Sequence, residues 1–362
     1  MLGELGARSV LLVTGRQSYS ACGAEERLGR ILDGYEVRRF CDFSTNPKVE
    51  DVDRGIGLLV SERFDVVLAV GGGSTIDMAK LINFLSVHPQ RLAGYKFSNR
   101  PGRQSLRPLI AIPTTSGSGS EATSFAVVYV GKEKVSVEDE SLLPDVVIVD
   151  WSLTESLPAA VTAASGLDAL SQAVESYWSI RSNDESKRYA AAAVEAVIAN
   201  LEAAVNRPTA SVRAEMSRAA NLAGKAINIT RTTACHAVSY PLTSHFGIAH
   251  GHAVGLLLSP LLAFNAEVTD RDVLDQRGAE YVRGAIDDIC GLLGAKAALD
   301  AARRIDSLIG KTGLPTRLSD AGLKSKDDLE IIVAEGFNPA RVRNNPRLLT
   351  TSALREILER IY

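Results

Sequence analysis

The sequence predicts an α/β domain with a doubly wound parallel sheet, followed by an all-α domain. Three observations lead to this prediction. The length of 362 residues suits about two domains. Short apolar runs alternate with amphipathic segments in the first part of the chain, and such runs nearly disappear after Asp150. We place the α/β domain at residues 1–155 and the all-helical domain at residues 156–362.

Four short runs, almost entirely apolar and bounded by Gly, Pro or Asp, predict strands of the sheet. Such runs are typical of strands that are buried on both faces of a parallel sheet. The segments between them, such as AEERLGRILDG and VEDVDRGIGLLVSERF, carry apolar residues at helical spacing. The predicted strands are SVLLVTG (9–15), DVVLAVGGG (65–73), PLIAIPTT (108–115) and PDVVIVD (144–150).

The second domain is predicted from the texture of the chain after Pro158. Ala- and Leu-rich segments such as SKRYAAAAVEAVIANLEAAV carry charges at helical intervals. A helical pattern without buried-strand runs indicates an all-α domain.

The composition is that of an ordinary globular protein, and the charge and cysteine content exclude several classes of partner and site. A formal net charge of -3 offers no general attraction to nucleic acid or to anionic membranes. The four cysteines lack CxxC spacing, so we expect reduced thiols rather than a disulfide framework or a zinc ribbon. The first residues lack a secretory leader pattern, and no apolar stretch approaches the roughly 20 residues that span a bilayer. We therefore expect a cytoplasmic protein.

Two glycine-rich loops follow predicted strands and suggest a nucleotide site. GGGSTIDMAK (71–80) leads from a strand into a helix, whose N-terminal amides favour an anion such as a pyrophosphate. PTTSGSGSEAT (113–123) adds hydroxyls at a second strand end. A plain turn and a flexible linker are the alternatives. The residues that we expect to bind the cofactor here are Gly72, Gly73, Ser74, Asp77, Thr114, Thr115 and Ser118.

The segment HAVSYPLTSHFGIAHGH (236–252) holds four of the five histidines and suggests a metal site. His236 and His250 are fourteen positions apart, which suits two elements joined by a loop at Pro241. Metal sites often add a carboxylate. Asp168, with Gln172 four residues later on the same helical face, is the candidate, although an acid there also suits a helix N-terminus.

Several long motifs, in order, resemble the iron-containing (group III) alcohol dehydrogenase family. The resemblance implies a nucleotide-binding domain, a helical domain and a divalent metal, Fe²⁺ or Zn²⁺, bound by Asp168, His236 and His250. Where the family places a histidine ligand this chain has Gln172, a weaker donor, so we expect weaker metal binding. The motifs are NPKVEDV (46–52), GGGSTIDMAK, PTTSGSGSEAT, LPAAVTAASGLDAL (157–170), the histidine segment and NNPRLLT (344–350).

Two further departures from the family concern the substrate. Tyr240 stands where family members commonly have a histidine near the reacting alcohol, so we expect Tyr240, or His252, to pass a proton. Lys225, Asn228 and Arg231 add cations and donors upstream of His236, where the family has apolar and small residues. They indicate an anionic substrate.

The resemblance implies an NAD(P)H-dependent reductase of a small aldehyde, and the motifs are most similar to phosphonoacetaldehyde reductases, which make 2-hydroxyethylphosphonate. Asp42 and Asn46 then belong to the cofactor site, and because Asp42 would repel a 2′-phosphate we favour NAD(H) over NADP(H). The resemblance also implies a homodimer. The alternatives are a generic metal-dependent alcohol dehydrogenase, a metal-free enzyme like maleylacetate reductase, a lyase or cyclase that uses bound NAD transiently, and a non-enzymatic nucleotide-binding regulator.

Overall fold

The structure is a computed structural model that describes residues 2–92, 95–96, 105–131, 133–337 and 342–362. The chain divides into two compact units, Met1–Leu157 and Pro158–Tyr362. The first unit contains β1 (Ser9–Thr14), α1 (Ser18–Ala21), α2 (Ala24–Leu32), β2 (Glu36–Phe40), α3 (Val49–Ser61), β3 (Val66–Gly71), α4 (Gly73–Leu85), β4 (Leu109–Pro113), β5 (Phe125–Val130), β6 (Glu133–Glu138) and β7 (Val146–Val147).

A five-stranded parallel sheet with the order β2-β1-β3-β4-β7 forms the centre of the first unit. Side chains alternate across β1, so that Val10 and Leu12 enter the core on one face while Leu11 and Val13 enter the core on the other. Helices cover both faces, and the predicted doubly wound, Rossmann-like α/β class is confirmed. The strand order reverses between β1 and β3, which is where such sheets form a crevice at their carboxyl ends.

Strand β2 and the antiparallel hairpin of β5 and β6 were not among the predicted strands. EVRRF in β2 is an edge strand with three exposed residues at its start, so it lacks the continuous apolar run of a central strand. The hairpin lies outside the main sheet, and buried and partly exposed residues alternate along most of β5. Both elements have polar faces, so a search for fully buried strands passes over them.

The regular elements in the described part of the second unit are all helices, so the predicted all-α class is confirmed. Within the described part of the chain, no helix is both long and apolar enough to cross a membrane. Small residues line the contacts of α5 with α6, α7 and α9, and one large apolar core joins these helices. The helices are α5 (Ala159–Trp178), α6 (Asp184–Asn206), α7 (Ala210–Thr230), α8 (Ala234–Ser244), α9 (His250–Ala266), α10 (Ala279–Leu292), α11 (Ala298–Lys311), α12 (Leu318–Ala321), α13 (Asp328–Gly336) and α14 (Thr351–Ile361).

Lys80 of α4 is a buried cation that ties this helix to the segment after β4. Its Nζ donates to the carbonyl oxygens of Ser120, Thr123 and Phe125, at 2.7 Å for Thr123 and 3.1 Å for Phe125. Burial lowers the pKa of Lys80 from the ordinary 10.5 to about 8, while the charge of Asp77 opposes this shift. The second glycine-rich loop is therefore anchored on a desolvated charge.

We predict that Lys80 makes stability depend on pH. Between pH about 8 and 10.5 the unfolded chain keeps a proton on Lys80 that the folded chain has lost. The free energy of unfolding attributable to Lys80 therefore rises with pH across this window, by up to about 1.4 kcal/mol per pH unit. Urea unfolding of the wild type and of Lys80→Met at pH 8 and pH 10 measures the change as a difference, so other titrations cancel. A difference that is the same at both pH values contradicts the prediction.

Candidate functional site

Three metal-ligand side chains meet in the helical unit. Asp168 lies in the middle of α5, His236 in the first turn of α8, and His250 at the first position of α9. One ligand atom from each lies within 4.8 Å of the others. His236 Nε2 is 3.2 Å from Asp168 Oδ1, and the rings of His236 and His250 meet edge to face with centroids 5.5 Å apart. The structure thus brings together Asp168, His236 and His250, and the fourth residue expected to bind a metal, Gln172, lies one helical turn after Asp168.

Gly251 permits this convergence by letting the start of α9 approach α5. A Cβ at this position would lie 1.9 Å from the carbonyl oxygen of Ala164 and 2.8 Å from Cβ of Asp168. Any other residue would force the two helices apart. Gly251 was not predicted as a site residue. Its position between His250 and His252 was the signal for a close approach of backbones at the metal ligands.

Glu175 is fully buried and connects α5 to the first turn of α8. Its Oε1 accepts hydrogen bonds from the amides of Thr233 (3.1 Å), Cys235 (2.8 Å) and His236 (3.3 Å), and from the Thr233 hydroxyl (2.8 Å). Its Oε2 pairs with Nδ1 of His236. A carboxylate at a helix N-terminus satisfies amides that have no partner within the helix, and the helix dipole stabilises its charge. Glu175 lies seven residues after Asp168, on the same face of α5, and this spacing was the signal that could have identified it from the sequence.

The ring of His236 lies between two carboxylates. Burial opposes a charge on this ring, but Glu175 and Asp168 outweigh it through their charges and hydrogen bonds, and they raise the pKa of His236 to about 9. Both ring nitrogens face acceptors, so a proton stands at Nε2 when no cation does. The site favours positive charge at the position between His236 and Asp168.

Gln172 and Tyr240 lie on the elements that carry the cluster. Gln172 is one turn after Asp168 in α5 and is 3% exposed. Tyr240 is one turn after His236 in α8, and its ring stacks with His250 at a centroid distance of 6.3 Å and an interplanar angle of 16°. The phenol expected to pass a proton thus lies beside the cluster.

The other histidines of the segment have different partners. His252 is two positions after His250 in α9, so it lies on the opposite side of the helix, where its Nε2 is 2.7 Å from the Pro315 carbonyl oxygen. Burial lowers the pKa of His252. His245 Nε2 pairs with Glu335 at 2.7 Å. The geometry favours Tyr240 over His252 for proton transfer.

The expected loop at Pro241 is wrong, because Pro241 lies inside α8. The link between the helices comprises residues 245–249. Pro241 is far enough along α8 to remove a single intrahelical hydrogen bond, which the buried surroundings of this short helix tolerate.

The turn between α7 and α8 carries Arg231, one of the three residues expected to bind an anionic substrate. Arg231 has φ 62 and ψ 171, an uncommon backbone conformation for a residue other than glycine. Asn344 holds the turn by donating to the carbonyl oxygens of Thr230 (2.8 Å) and Thr232 (3.0 Å). Arg231 Nη1 donates to the Asn228 carbonyl oxygen. Backbone strain of this kind is often found at functional sites.

Lys225 lies in α7, six residues before Arg231 and therefore further from His236 along the chain. Its side chain is exposed, and its Nζ lies 5.9 Å from the ring centroid of Tyr189 in α6. An exposed lysine above an aromatic ring is also an ordinary surface feature. Arg231, in the turn that leads directly to His236, is the stronger candidate for binding an anionic substrate.

The two glycine-rich loops of the first unit meet at the carboxyl ends of β3 and β4. The Thr114 amide donates to the Gly71 carbonyl oxygen at 3.0 Å. A Cβ at Gly73 would lie 2.4 Å from Oγ of Ser118, so the first turn of α4 requires glycine there. Gly72, Ser74 and Thr115 are partly exposed around this contact. The expected cofactor residues therefore gather at the edge where a helix N-terminus favours an anion.

The Asp77 side chain, expected at the cofactor site, bonds to two groups of the first unit. Its Oδ1 accepts from the Ser120 hydroxyl and its Oδ2 from the Val127 amide at 3.1 Å. Both oxygens thus hold the segment after β4 and the hairpin. Asp77 therefore supports the loop, and contact with a cofactor is not needed to explain it.

Asp42 and Asn46 follow β2, at the same sheet edge, and both are exposed. Arg16 forms an ion pair with Asp42, and Arg54 Nη2 lies 3.8 Å from its Oδ2. The two arginines reduce the negative charge that Asp42 presents. The Asn46 carbonyl oxygen accepts from the Ser44 hydroxyl at 2.9 Å.

The donor set of the helical unit fits a divalent metal. One carboxylate and two imidazoles with an open position are typical of catalytic zinc and related sites. Glu175 behind His236 supplies the outer carboxylate that such histidines usually have. Asp168, His236 and His250 can therefore hold an ion, and Gln172 lies one helical turn from the first of them.

Comparison with protein families finds two matches that together span most of the chain. Residues 1–151 match the family described as iron-containing alcohol dehydrogenase. Residues 162–362 match the C-terminal domain of the Fe-containing alcohol dehydrogenase family.

Individual relatives are similar over most of their length. Long-chain-alcohol dehydrogenase 1 of Geobacillus thermodenitrificans is 31% identical, covering 99% of this chain and 91% of the relative. Phosphonoacetaldehyde reductase of Streptomyces viridochromogenes is 35% identical, covering 82% and 76%. The structure of sulfoacetaldehyde reductase from Bifidobacterium kashiwanohense in complex with NAD+ superposes with a TM-score of 0.85 at 31% identity, covering 99% and 92%.

We predict that Gln172 limits metal affinity. Gln172→His places an imidazole one turn after Asp168 and should tighten Zn²⁺ binding by at least about tenfold, because imidazole is a better donor than an amide oxygen. Competition with a coloured chelator measures the affinity, and elemental analysis measures the content. Gln172→Ala is the control and should bind no more tightly than the wild type. Equal affinity of all three proteins would place residue 172 outside the coordination shell.

Proposed function

Since the chain belongs to the iron-containing alcohol dehydrogenase family and is an oxidoreductase, we propose that it reduces a small anionic aldehyde to the alcohol with a nicotinamide cofactor. The observation that carries this proposal is the convergence of Asp168, His236 and His250 from three helices. A regulator that only binds a nucleotide would leave this constellation without a use.

Some residues of the site would hold the metal, and another would transfer a proton. When bound, a divalent metal held by Asp168, His236 and His250 supplies a Lewis acid for the carbonyl, and the nicotinamide supplies the hydride. Glu175 and Asp168 hold the ring of His236 from both sides. Tyr240, stacked on His250, gives its phenolic proton to the oxygen of the product in the reductive direction.

We place phosphonoacetaldehyde first among the substrates. A relative 35% identical to this chain is a phosphonoacetaldehyde reductase. Arg231, in the turn just before His236, offers a guanidinium whose fork geometry suits the oxygens of a phosphonate. Asn228 and Lys225 lie on the same helix and add donors.

Sulfoacetaldehyde is the second candidate, because a structure 31% identical to this chain is a sulfoacetaldehyde reductase. Both molecules join an aldehyde to a tetrahedral anionic group, so the chemistry that recognises them is shared. Turnover of simple aldehydes tests whether the chain is a generic metal-dependent alcohol dehydrogenase. Turnover of maleylacetate tests whether it is a metal-free enzyme like maleylacetate reductase. A lyase or cyclase that uses NAD transiently would consume no NADH, so the stoichiometry of NADH oxidation excludes or supports it.

We propose NAD(H) as the cofactor, bound at the carboxyl edge of the sheet. Asp42 supports this choice, since a carboxylate there can accept a hydrogen bond from an adenosine ribose and repels a 2′-phosphate. Arg16 and Arg54 work against the repulsion, because they are paired with the same carboxylate. The preference for NADH therefore depends on which of these charges faces the ribose.

We predict that Arg231 discriminates anionic from neutral aldehydes. Arg231→Met removes a charge-assisted hydrogen bond worth about 1.5–3 kcal/mol, so KM for phosphonoacetaldehyde should rise by about tenfold or more. The KM for propanal should change by less than about twofold. Steady-state assays with NADH measure both. Methionine, like arginine, is not a glycine, so the cost of the left-handed backbone is similar in the two proteins.

The control for this comparison is Arg218→Met. Arg218 is an exposed arginine of the same helix that pairs with Glu215 at 2.7 Å. We expect Arg218→Met to leave both KM values unchanged. Equal losses with phosphonoacetaldehyde and propanal in Arg231→Met would contradict the anionic-substrate proposal, and wild-type turnover of propanal as fast as of either anion would do the same.

We predict that Asp42→Ser shifts cofactor preference. Without the carboxylate, kcat/KM for NADH should fall and kcat/KM for NADPH should rise, each by about tenfold, because a hydrogen bond to a charged group is lost and a repulsion removed. Assays with both cofactors give the ratio. Glu36→Ser is the control, because it removes an exposed carboxylate at the start of β2, at the end of the strand opposite to Asp42. An unchanged ratio in Asp42→Ser means that the carboxylate does not face the ribose.

A further inference from the structure

Glu175 makes two kinds of contact at once, one at each oxygen of its carboxylate. Oε1 receives three amide N–H groups and a hydroxyl, all donors. Oε2 faces Nδ1 of His236. Both oxygens are buried, so no solvent is available to replace either contact. An atom at the first position must be an acceptor, because the amides of a helix N-terminus only donate.

The contact at Oε2 determines which nitrogen of His236 is available to a cation. An ionised carboxylate only accepts, so Nδ1 must carry a proton to bond with it. Nε2 is then the nitrogen whose lone pair is left for a metal, and it is also the one that faces Asp168 at 3.2 Å. With the opposite tautomer, a proton on Nε2 would stand between the ring and any ion bound by Asp168.

We infer that Glu175 is a positioning residue that selects the metal-binding tautomer of His236. The inference rests on the proposed metal site and adds to it a residue that touches neither metal nor substrate. The carboxylate fixes the first turn of α8 through the amides, and through Nδ1 it turns Nε2 toward Asp168. Carboxylates behind a metal-bound histidine act in this way in other proteins.

Glu175→Gln separates the two tasks of the side chain. The amide oxygen of Gln must occupy the place of Oε1, because an amide NH₂ there would meet three N–H groups. Its NH₂ group then faces His236 and donates to Nδ1. That bond places the ring proton on Nε2 and blocks the nitrogen that the metal needs. The helix start is kept while the tautomer is reversed.

The test is Zn²⁺ affinity of the full chain, measured by competition with a chelator. We expect Glu175→Gln to bind Zn²⁺ about 10- to 100-fold more weakly than the wild type. Equal affinity of the two proteins overturns the inference. A wild type that binds no Zn²⁺ would instead contradict the proposed metal site itself, so the two failures are distinct.

Ser179→Ala is the matched control for a merely structural effect. The Ser179 hydroxyl, also fully buried, lies 3.4 Å from the Thr230 carbonyl oxygen and 3.1 Å from Asn344 Oδ1, so it steadies the same turn without touching His236. We expect Ser179→Ala to lower Tm and to keep wild-type Zn²⁺ affinity. The inference fails if Ser179→Ala and Glu175→Gln lower Tm equally and also weaken Zn²⁺ binding equally. General loosening of the turn would then explain both results.

A second measurement needs no variant of Glu175. In the Zn²⁺-loaded wild type, labelled with ¹⁵N at its five histidines, the ring of His236 should show a proton on Nδ1 and metal coordination at Nε2. His236→Gln identifies the resonance by its loss. A proton on Nε2, or coordination through Nδ1, overturns the inference even if Glu175→Gln does not fold.

Discussion

The helical unit is organised around one buried carboxylate. Glu175 replaces the water that the first amides of α8 would otherwise need, and it does so from another helix. A buried charge is costly unless donors and a counter-charge surround it, and here three amides, a hydroxyl and an imidazole do so. Thr233 is the N-cap residue of α8. Its hydroxyl donates a hydrogen bond to Glu175 and accepts one from the Trp178 indole at 2.9 Å. The hydrogen bonds of Glu175 therefore determine the position of the first turn of α8 and of His236 within it.

The other constraint is the distance between helices. Asp168, His236 and His250 belong to three different helices, and their side chains are too short to meet unless the backbones are close. Small residues throughout α5 allow this, and at Gly251 the space between the backbones is too narrow for one added carbon atom, which would lie 1.9 Å from the Ala164 carbonyl oxygen. The core packing of the unit and the metal cluster are therefore two results of the same close approach.

The sequence predicted the parallel sheet and the helical unit because their signals are local: apolar runs and helical spacing recur within a few residues of chain. Asp168, His236 and His250 were predicted from ligand chemistry and from resemblance. The contacts of Glu175, Asp77 and His252 were not, because each depends on a partner 43 or more residues away in the chain. Pro241 misled because proline usually ends a helix, whereas burial of α8 lets it continue. The edge strand β2 was missed because its polar face resembles a loop.

The steric requirement at Gly251 gives this site a signature that histidine counting does not. Ligand residues can differ in type between relatives, and the resemblance places Gln172 where the family has a histidine, but a carbonyl oxygen of Ala164 cannot move aside for a side chain at residue 251. In distant relatives that have exchanged their ligands, retention of this glycine would therefore mark a conserved backbone arrangement. A chain that has kept both histidines and lost the glycine would have the ligands without the place where they meet.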